Sequence, residues 1–157
     1  MNNNYINFYN NLVHLTRNKM LYKAFTRQDT FSDRLVIFLF HFAFFLYKFK
    51  SETEKKRLQD LFDDVFHQIE ISIREIGYGD VTVNKKMKEY VNLLHSMVKK
   101  VELWEKLNSI EKTNLFSIYI EAGVELPRFT SYFDKYAYYL SKKTFNYFTK
   151  DVIRIKF

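Results

Sequence analysis

The sequence predicts an all-α fold, a single compact domain of about six or seven helices over residues 1–157, and three observations predict it. Apolar residues recur at steps of three and four along most of the chain, which places them on one face of successive helices. Three glycines and one proline, Pro127, are too few to punctuate the turns of a β-sandwich or barrel, or to build a glycine-rich phosphate cradle. Cysteine is absent, which excludes disulfides, thiolate catalysis and Cys-rich zinc sites. A chain of 157 residues buries about two-thirds of its unfolded surface without such staples. No repeat, linker or low-complexity stretch divides it.

Taken in order, Tyr5 to Arg17 forms a weakly amphipathic helix through Ile6, Tyr9 and Val13, and Lys19 to Phe25 a short one presenting Met20, Leu21, Ala24 and Phe25. The stretch from Thr26 to Thr30 breaks the pattern, and Asp29, Thr30 or Ser32 caps the next helix. That helix holds the strongest apolar run of the chain, Leu35 to Tyr47, bounded by Arg34, Lys48 and Lys50. Its 13 residues reach about 20 Å, short of the roughly 30 Å hydrocarbon layer of a bilayer, so a buried helix is expected rather than a membrane span. Ser51 is a good N-cap, with Glu54 completing a capping box.

From Leu58 the helical period is clearest: Leu58, Leu61, Phe62, Val65, Ile69, Ile73 and Ile76 form one stripe, opposite Asp60, Asp63, Asp64, His67, Glu70 and Arg74. Gly77 stands where a left-handed residue ends such a helix, and residues 77–83 read as a tight loop. The next helix is expected from Asn84 towards Lys106, on a stripe of Met87, Val91, Leu94, Val98, Val101 and Trp104 or Glu105. Lys85, Lys86 and Lys88 would then crowd its first turn, against the helix dipole, and such a cluster gains from an outside anion. Residues 108–113 read as a connector and Leu115 to Ala122 as a short helix closed by Gly123. Leu126 and Pro127 open a final helix carrying Phe129, Phe133, Tyr136, Ala137, Leu140 and Phe148, and a basic, apolar tail runs on from Asp151.

The formal net charge of +7 favours polyanionic surroundings, whether nucleic acid, ribosome, anionic lipid or an acidic protein, without choosing among them. Seventeen Phe and twelve Tyr stand beside abundant Lys, Asn and Ile and few Gly and Pro, as an AT-biased genome would write, so aromatic richness alone marks no site. The amino terminus shows no basic region followed by an apolar one, so no secretory signal is expected and the protein should stay inside the cell.

Catalytic constellations are sparse. Asp63 or Asp64, His67 and Glu70 share a helix face at spacings of three and four, but a di-iron site needs a second such helix, so a solvated acidic face is expected and no metal. His41 reads as a hydrogen-bonded core histidine, while His14 and His95 have no companions. No Gly-x-Ser-x-Gly elbow occurs. No catalytic residue and no cofactor is expected; binding is favoured over catalysis.

The segment Ser72-Ile-Arg-Glu-Ile-Gly-Tyr-Gly-Asp-Val-Thr-Val-Asn-Lys-Lys-Met87 resembles a stretch of the ubiquinol-cytochrome c chaperone family, assembly factors of the cytochrome bc complex in mitochondria and related bacteria. That stretch has the form Leu-Arg-Glu-Met-Gly-Val-Gly-Asp-Leu-x-Val-x-Lys-Lys-Met and comes after an acidic amphipathic helix. Leu21-Tyr-Lys-Ala-Phe25 with Asp29 and Thr30, the apolar helix around His41, and the acidic pair Asp63 and Asp64 agree in order, so the resemblance runs from about Tyr22 to Glu102. Gln28 replaces a usual Pro, Leu94-His-Ser-Met97 replaces Phe-Tyr-Gly-Arg, and the last third matches only in helical character.

The resemblance implies a non-enzymatic helical chaperone that binds newly synthesised cytochrome b, beside the translating ribosome or its RNA and with no role for DNA. Its implied place is cytoplasmic, in peripheral contact with the inner membrane. Lys85, Lys86 and Lys88, with Tyr78 and Asp80, would form the partner-binding face, and Arg74, Glu75, Gly77 and Gly79 would brace the loop. Phe38, Phe42 and Phe45 would line an apolar client groove, with complete burial the favoured reading. Two alternatives stand beside it: a basic helical RNA- or ribosome-associated adaptor without a membrane-protein client, and an enzyme for an isoprenoid or lipid, which requires a deep cavity and converging buried carboxylates.

Overall fold

The computed structural model describes residues 5–50, 54–121, 123–155 and 157. Along them run eight α-helices: α1 (Ile6–Thr16), α2 (Lys19–Tyr22), α3 (Phe31–Phe49), α4 (Lys55–Ile76), α5 (Asp80–Val101), α6 (Ser109–Ser117), α7 (Leu126–Ser141) and α8 (Phe145–Lys150). A 3₁₀ turn at Trp104–Lys106 separates α5 from α6. The all-α class is as expected, with the described residues forming no strand and only one isolated bridge, Phe25 to Val124.

The apolar run dictates the architecture. α3 carries large apolar side chains around its whole circumference, so it must be covered on all sides. It packs against α1, α5 and α7. Phe8 of α1 lies 4.5 Å from Phe45, Phe40 lies 5.0 Å from Phe116, and Phe44 lies 5.0 Å from Trp104, ring centre to ring centre. Each fully buried side chain of this size contributes roughly 1.5–3 kcal/mol of transfer free energy, which holds the helix in the centre. No helix among the described residues is long and apolar enough to cross a membrane.

Of the three candidate caps, Thr30 starts α3: its Oγ1 accepts the Asp33 amide at 3.1 Å while Asp33 Oδ2 accepts the Thr30 amide at 2.8 Å, a complete capping box. At the other boundary, α4 begins at Lys55 with Glu54 in the N-cap position; Ser51 lies outside the described residues. His41 is fully buried and takes the core role expected of it. Its Nδ1 bonds the Ile37 carbonyl at 2.8 Å and so must carry the hydrogen, leaving Nε2 to accept from the Tyr132 hydroxyl at 2.6 Å.

The carboxy-terminal third differs from the sequence reading in its helix boundaries and in how its tail is held. α6 begins at Ser109, inside the expected connector, because Asn108 and Glu111 form a second capping box. The expected final helix is two, since the chain leaves the helix after Ser141 and Thr144 caps α8 by accepting the Tyr147 amide at 3.2 Å. The carboxy-terminal tail is fastened to α1: Asn7, Asn11, His14 and Asn18 bond backbone groups between Phe148 and Phe157.

Candidate functional site

The junction of α4 and α5 is where the sequence places its candidate binding residues. α4 is amphipathic, with Leu61, Val65, Ile69 and Ile73 buried on one stripe, and it ends as expected at Gly77 in a left-handed conformation, φ +107°. Gly79 is extended at φ −75° and is the N-cap of α5, which begins at Asp80. The expected loop over residues 77–83 therefore shrinks to its first three residues, and Val83 N already donates to Gly79 O at 2.9 Å.

This start corrects the placement of the lysines. The first turn of α5 holds the acidic Asp80, which the helix dipole favours, while Lys85, Lys86 and Lys88 fall in the second and third turns. The dipole conflict expected there does not arise. What the structure places together is different: Lys85 and Lys88 are exposed, neither joins an ion pair among the described residues, and Lys86 Nζ sits 4.9 Å from the centre of the Tyr78 ring.

Arg74 spans the turn. Its guanidinium donates to Asp80 Oδ1 at 2.5 Å and lies 3.7 Å from Glu70, linking the end of α4 to the start of α5. Glu75 is exposed and makes no hydrogen bond or ion pair among the described residues, so the bracing falls to Arg74. Beside this ion pair three apolar side chains face solvent: Ile76, Tyr78 and Val81, the last 85% exposed. Ile76 belongs to the predicted buried stripe but lies beyond the end of its cover, and no pattern in the sequence singles out Val81. The tip thus combines cations without carboxylate partners among the described residues and apolar groups without cover.

Phe38, Phe42 and Phe45 are buried, with exposures of 6%, 0% and 0%, because α1, α5 and α7 enclose α3. This is the complete burial that the sequence reading favours over an apolar client groove. Phe38 does reach the wall of a cavity between α1, α2, α3 and α4. Among the described residues no three potential metal ligands come together, those of the acidic face of α4 included. Asp63 accepts from Gln59 at 2.9 Å and Glu70 lies beside Arg74. Burial, reinforced by Asp60, raises the Asp64 carboxyl above the usual carboxylate range.

The fold is an all-helical domain built around one aromatic helix, with a charged and apolar hairpin tip. The family model for the ubiquinol-cytochrome C chaperone matches residues 23–105, more than half of the chain, and the chain belongs to that family. The matched span includes α3, α4, the glycine turn and α5. No curated protein and no solved structure matched the chain.

Proposed function

We propose that this protein is an assembly chaperone of ubiquinol-cytochrome c reductase that binds newly synthesised cytochrome b, with the α4–α5 tip as its recognition surface. Family membership supports the assembly role. The observation that carries the choice of surface is the succession, from the end of α4 through the first three turns of α5, of uncovered Ile76, Tyr78 and Val81 and the exposed Lys85 and Lys88. An emerging membrane-protein client presents apolar helices joined by polar loops, and a holder must offer both kinds of contact. The lysines attract acidic loops and the anionic surface of the cytoplasmic leaflet, where a client of this kind inserts. Gly77 and the Arg74–Asp80 pair keep the turn in one shape, so little order is lost on binding. The protein acts in this reading at the cytoplasmic face of the inner membrane and without catalysis.

The test replaces Lys85, Lys86 and Lys88 together by Glu in the full chain and measures cytochrome b recovered with it from cells, with circular dichroism confirming the helical fold. Recovery is expected to fall at least tenfold, and assembled complex with it. Undiminished recovery by a folded variant removes the tip from the recognition surface. Recovery of RNA in place of cytochrome b, lost steeply with added salt, identifies the RNA-associated adaptor instead.

A further inference from the structure

A second feature, separate from the lysines, was invisible in the sequence. The end of α1, α2, the start of α3 and the last third of α4 surround a cavity of about 500 Å³, a size proper to small-molecule sites. Val13, Leu35, Phe38 and Ile69 give it an apolar wall. Three cations share the lining, Arg17, Lys19 and Arg34. The one carboxylate of the lining among the described residues, Asp29, is held by Arg34 Nε at 2.6 Å. Arg17 and Lys19 are exposed and have no acidic partner among the described residues, so the lining keeps a net positive charge.

The wall also carries an unsatisfied polar group. Thr16 is 7% exposed and lines the cavity, and its Oγ1 has no hydrogen-bond partner among the described residues. Tyr22, beside it, donates instead to the Thr16 carbonyl at 2.8 Å. A buried hydroxyl without a partner is rare unless something else satisfies it. Arg17, Lys19 and Thr16 precede the span matched by the family, so this half of the site belongs to the chain's own amino-terminal region.

We propose that this cavity binds a single-chain anionic amphiphile, a fatty carboxylate. Its hydrocarbon lies along Val13, Leu35, Phe38 and Ile69, and its carboxylate meets Arg17 and Lys19 at the mouth. A guanidinium and an ammonium without acidic partners favour an anionic head over a neutral one, and an apolar wall rewards a chain that water rejects. The volume admits one such chain, whereas the two acyl chains of a bilayer phospholipid would not fit.

Isothermal titration of the full chain with laurate, below its micelle concentration, tests this, with dodecanol and inorganic phosphate as the tail-only and head-only controls. Laurate is expected to saturate at one per chain, at least tenfold tighter than dodecanol, with phosphate neither binding nor competing. Arg17→Gln with Lys19→Gln should weaken laurate at least tenfold, and Ser72→Trp, which fills the cavity from α4, should do the same, both with the melting temperature retained. Absence of saturable binding overturns the proposal, as does a stoichiometry of several per chain or an affinity unmoved by both variants. Competition by phosphate as strong as by laurate shows an anion site alone and also overturns it.

Discussion

Asn11 holds Ile153: its Oδ1 accepts the Ile153 amide at 2.9 Å, while its Nδ2 donates to the carbonyls of Phe148 and Asp151 at 2.9 and 2.8 Å. One buried side chain, 3% exposed, thus satisfies three backbone groups 137 to 142 residues away. Asn7, Asn11, His14 and Asn18 succeed one another at steps of four, three and four, so a single face of α1 and its extension carries the whole seam. Asn11→Leu leaves those groups buried and unpaired. It is expected to cost about 3 kcal/mol, from roughly 1–3 kcal/mol for each unsatisfied group less partial access to water. Urea unfolding of the variant measures it, and a loss below about 1 kcal/mol would mean that the tail is fastened by its apolar contacts alone.

The two glycines of the α4–α5 turn should respond differently. Gly77 sits at φ +107°, and a Cβ there meets nothing within 4 Å, so Gly77→Ala carries backbone strain without a clash. A left-handed alanine costs roughly 1–2 kcal/mol. Gly79, at φ −75° and equally open, is the N-cap; Ala caps less well than Gly, but at this φ it regains roughly 0.4–1 kcal/mol by restricting the unfolded chain, so the net loss should be smaller than at Gly77. Thermal unfolding of both variants checks the ordering, and equal losses would contradict the turn geometry.

Much of the fold was legible because helices write their period into the sequence. The stripe from Leu61 to Ile73, the left-handed Gly77 and the burial of His41 are consequences of local pattern and composition. The start of α5 was misread because Gly79 next to Asp80 resembles loop chemistry; an acid right after an extended glycine is equally the signature of a first helical turn. Asn108 and Glu111, at the spacing of a capping box, carried the missed start of α6. At the candidate site the Arg74 brace was legible by type and position, whereas the lysines were legible by type but set one turn too early in α5. The exposure of Ile76 and Val81 was not, since it depends on where the neighbouring helices stop covering the end of α4 and the start of α5. The asparagine seam and the cavity were beyond reach: the partners of Asn11 are backbone atoms without a sequence signature, and a cavity exists only where helices diverge.

At the entry to α3, one arginine couples two distant positions. Asp33 closes the capping box and takes two bonds from Arg27, at 2.8 and 3.2 Å, and the guanidinium holds its carboxyl below the usual carboxylate range. Gly123, at φ +91°, lies under the same arginine, where an added Cβ would stand 2.9 Å from Arg27 Cγ. Asp33→Ala removes the box and is expected to cost about 1 kcal/mol for the cap alone. Gly123→Ala strains the backbone and displaces Arg27 as well. The double variant should lose less than the two single losses added, because both act on one arginine. Strict additivity in denaturant unfolding would separate the two sites.

The pH dependence of stability has its source in His41. It is fully buried, and burial drives its imidazole down to about 3 from an ordinary value of 6.5, the bond to the Ile37 carbonyl opposing only in part. Since the folded value is the lower, the unfolded chain binds the proton first as pH falls. The stability owed to the neutral ring is complete above about pH 6.5 and drains away between there and pH 3. Within that window the slope is about 1.4 kcal/mol per pH unit, so moving from about pH 7.5 to about pH 5 should remove on the order of 2 kcal/mol. His41→Phe gives up the Tyr132 and Ile37 bonds and starts less stable, but has no proton to gain at this position. Its unfolding free energy should therefore fall by about 2 kcal/mol less than that of the parent over the same interval. Parallel loss in the two proteins would place the acid sensitivity on other groups and show that His41 is charged without cost in the folded core.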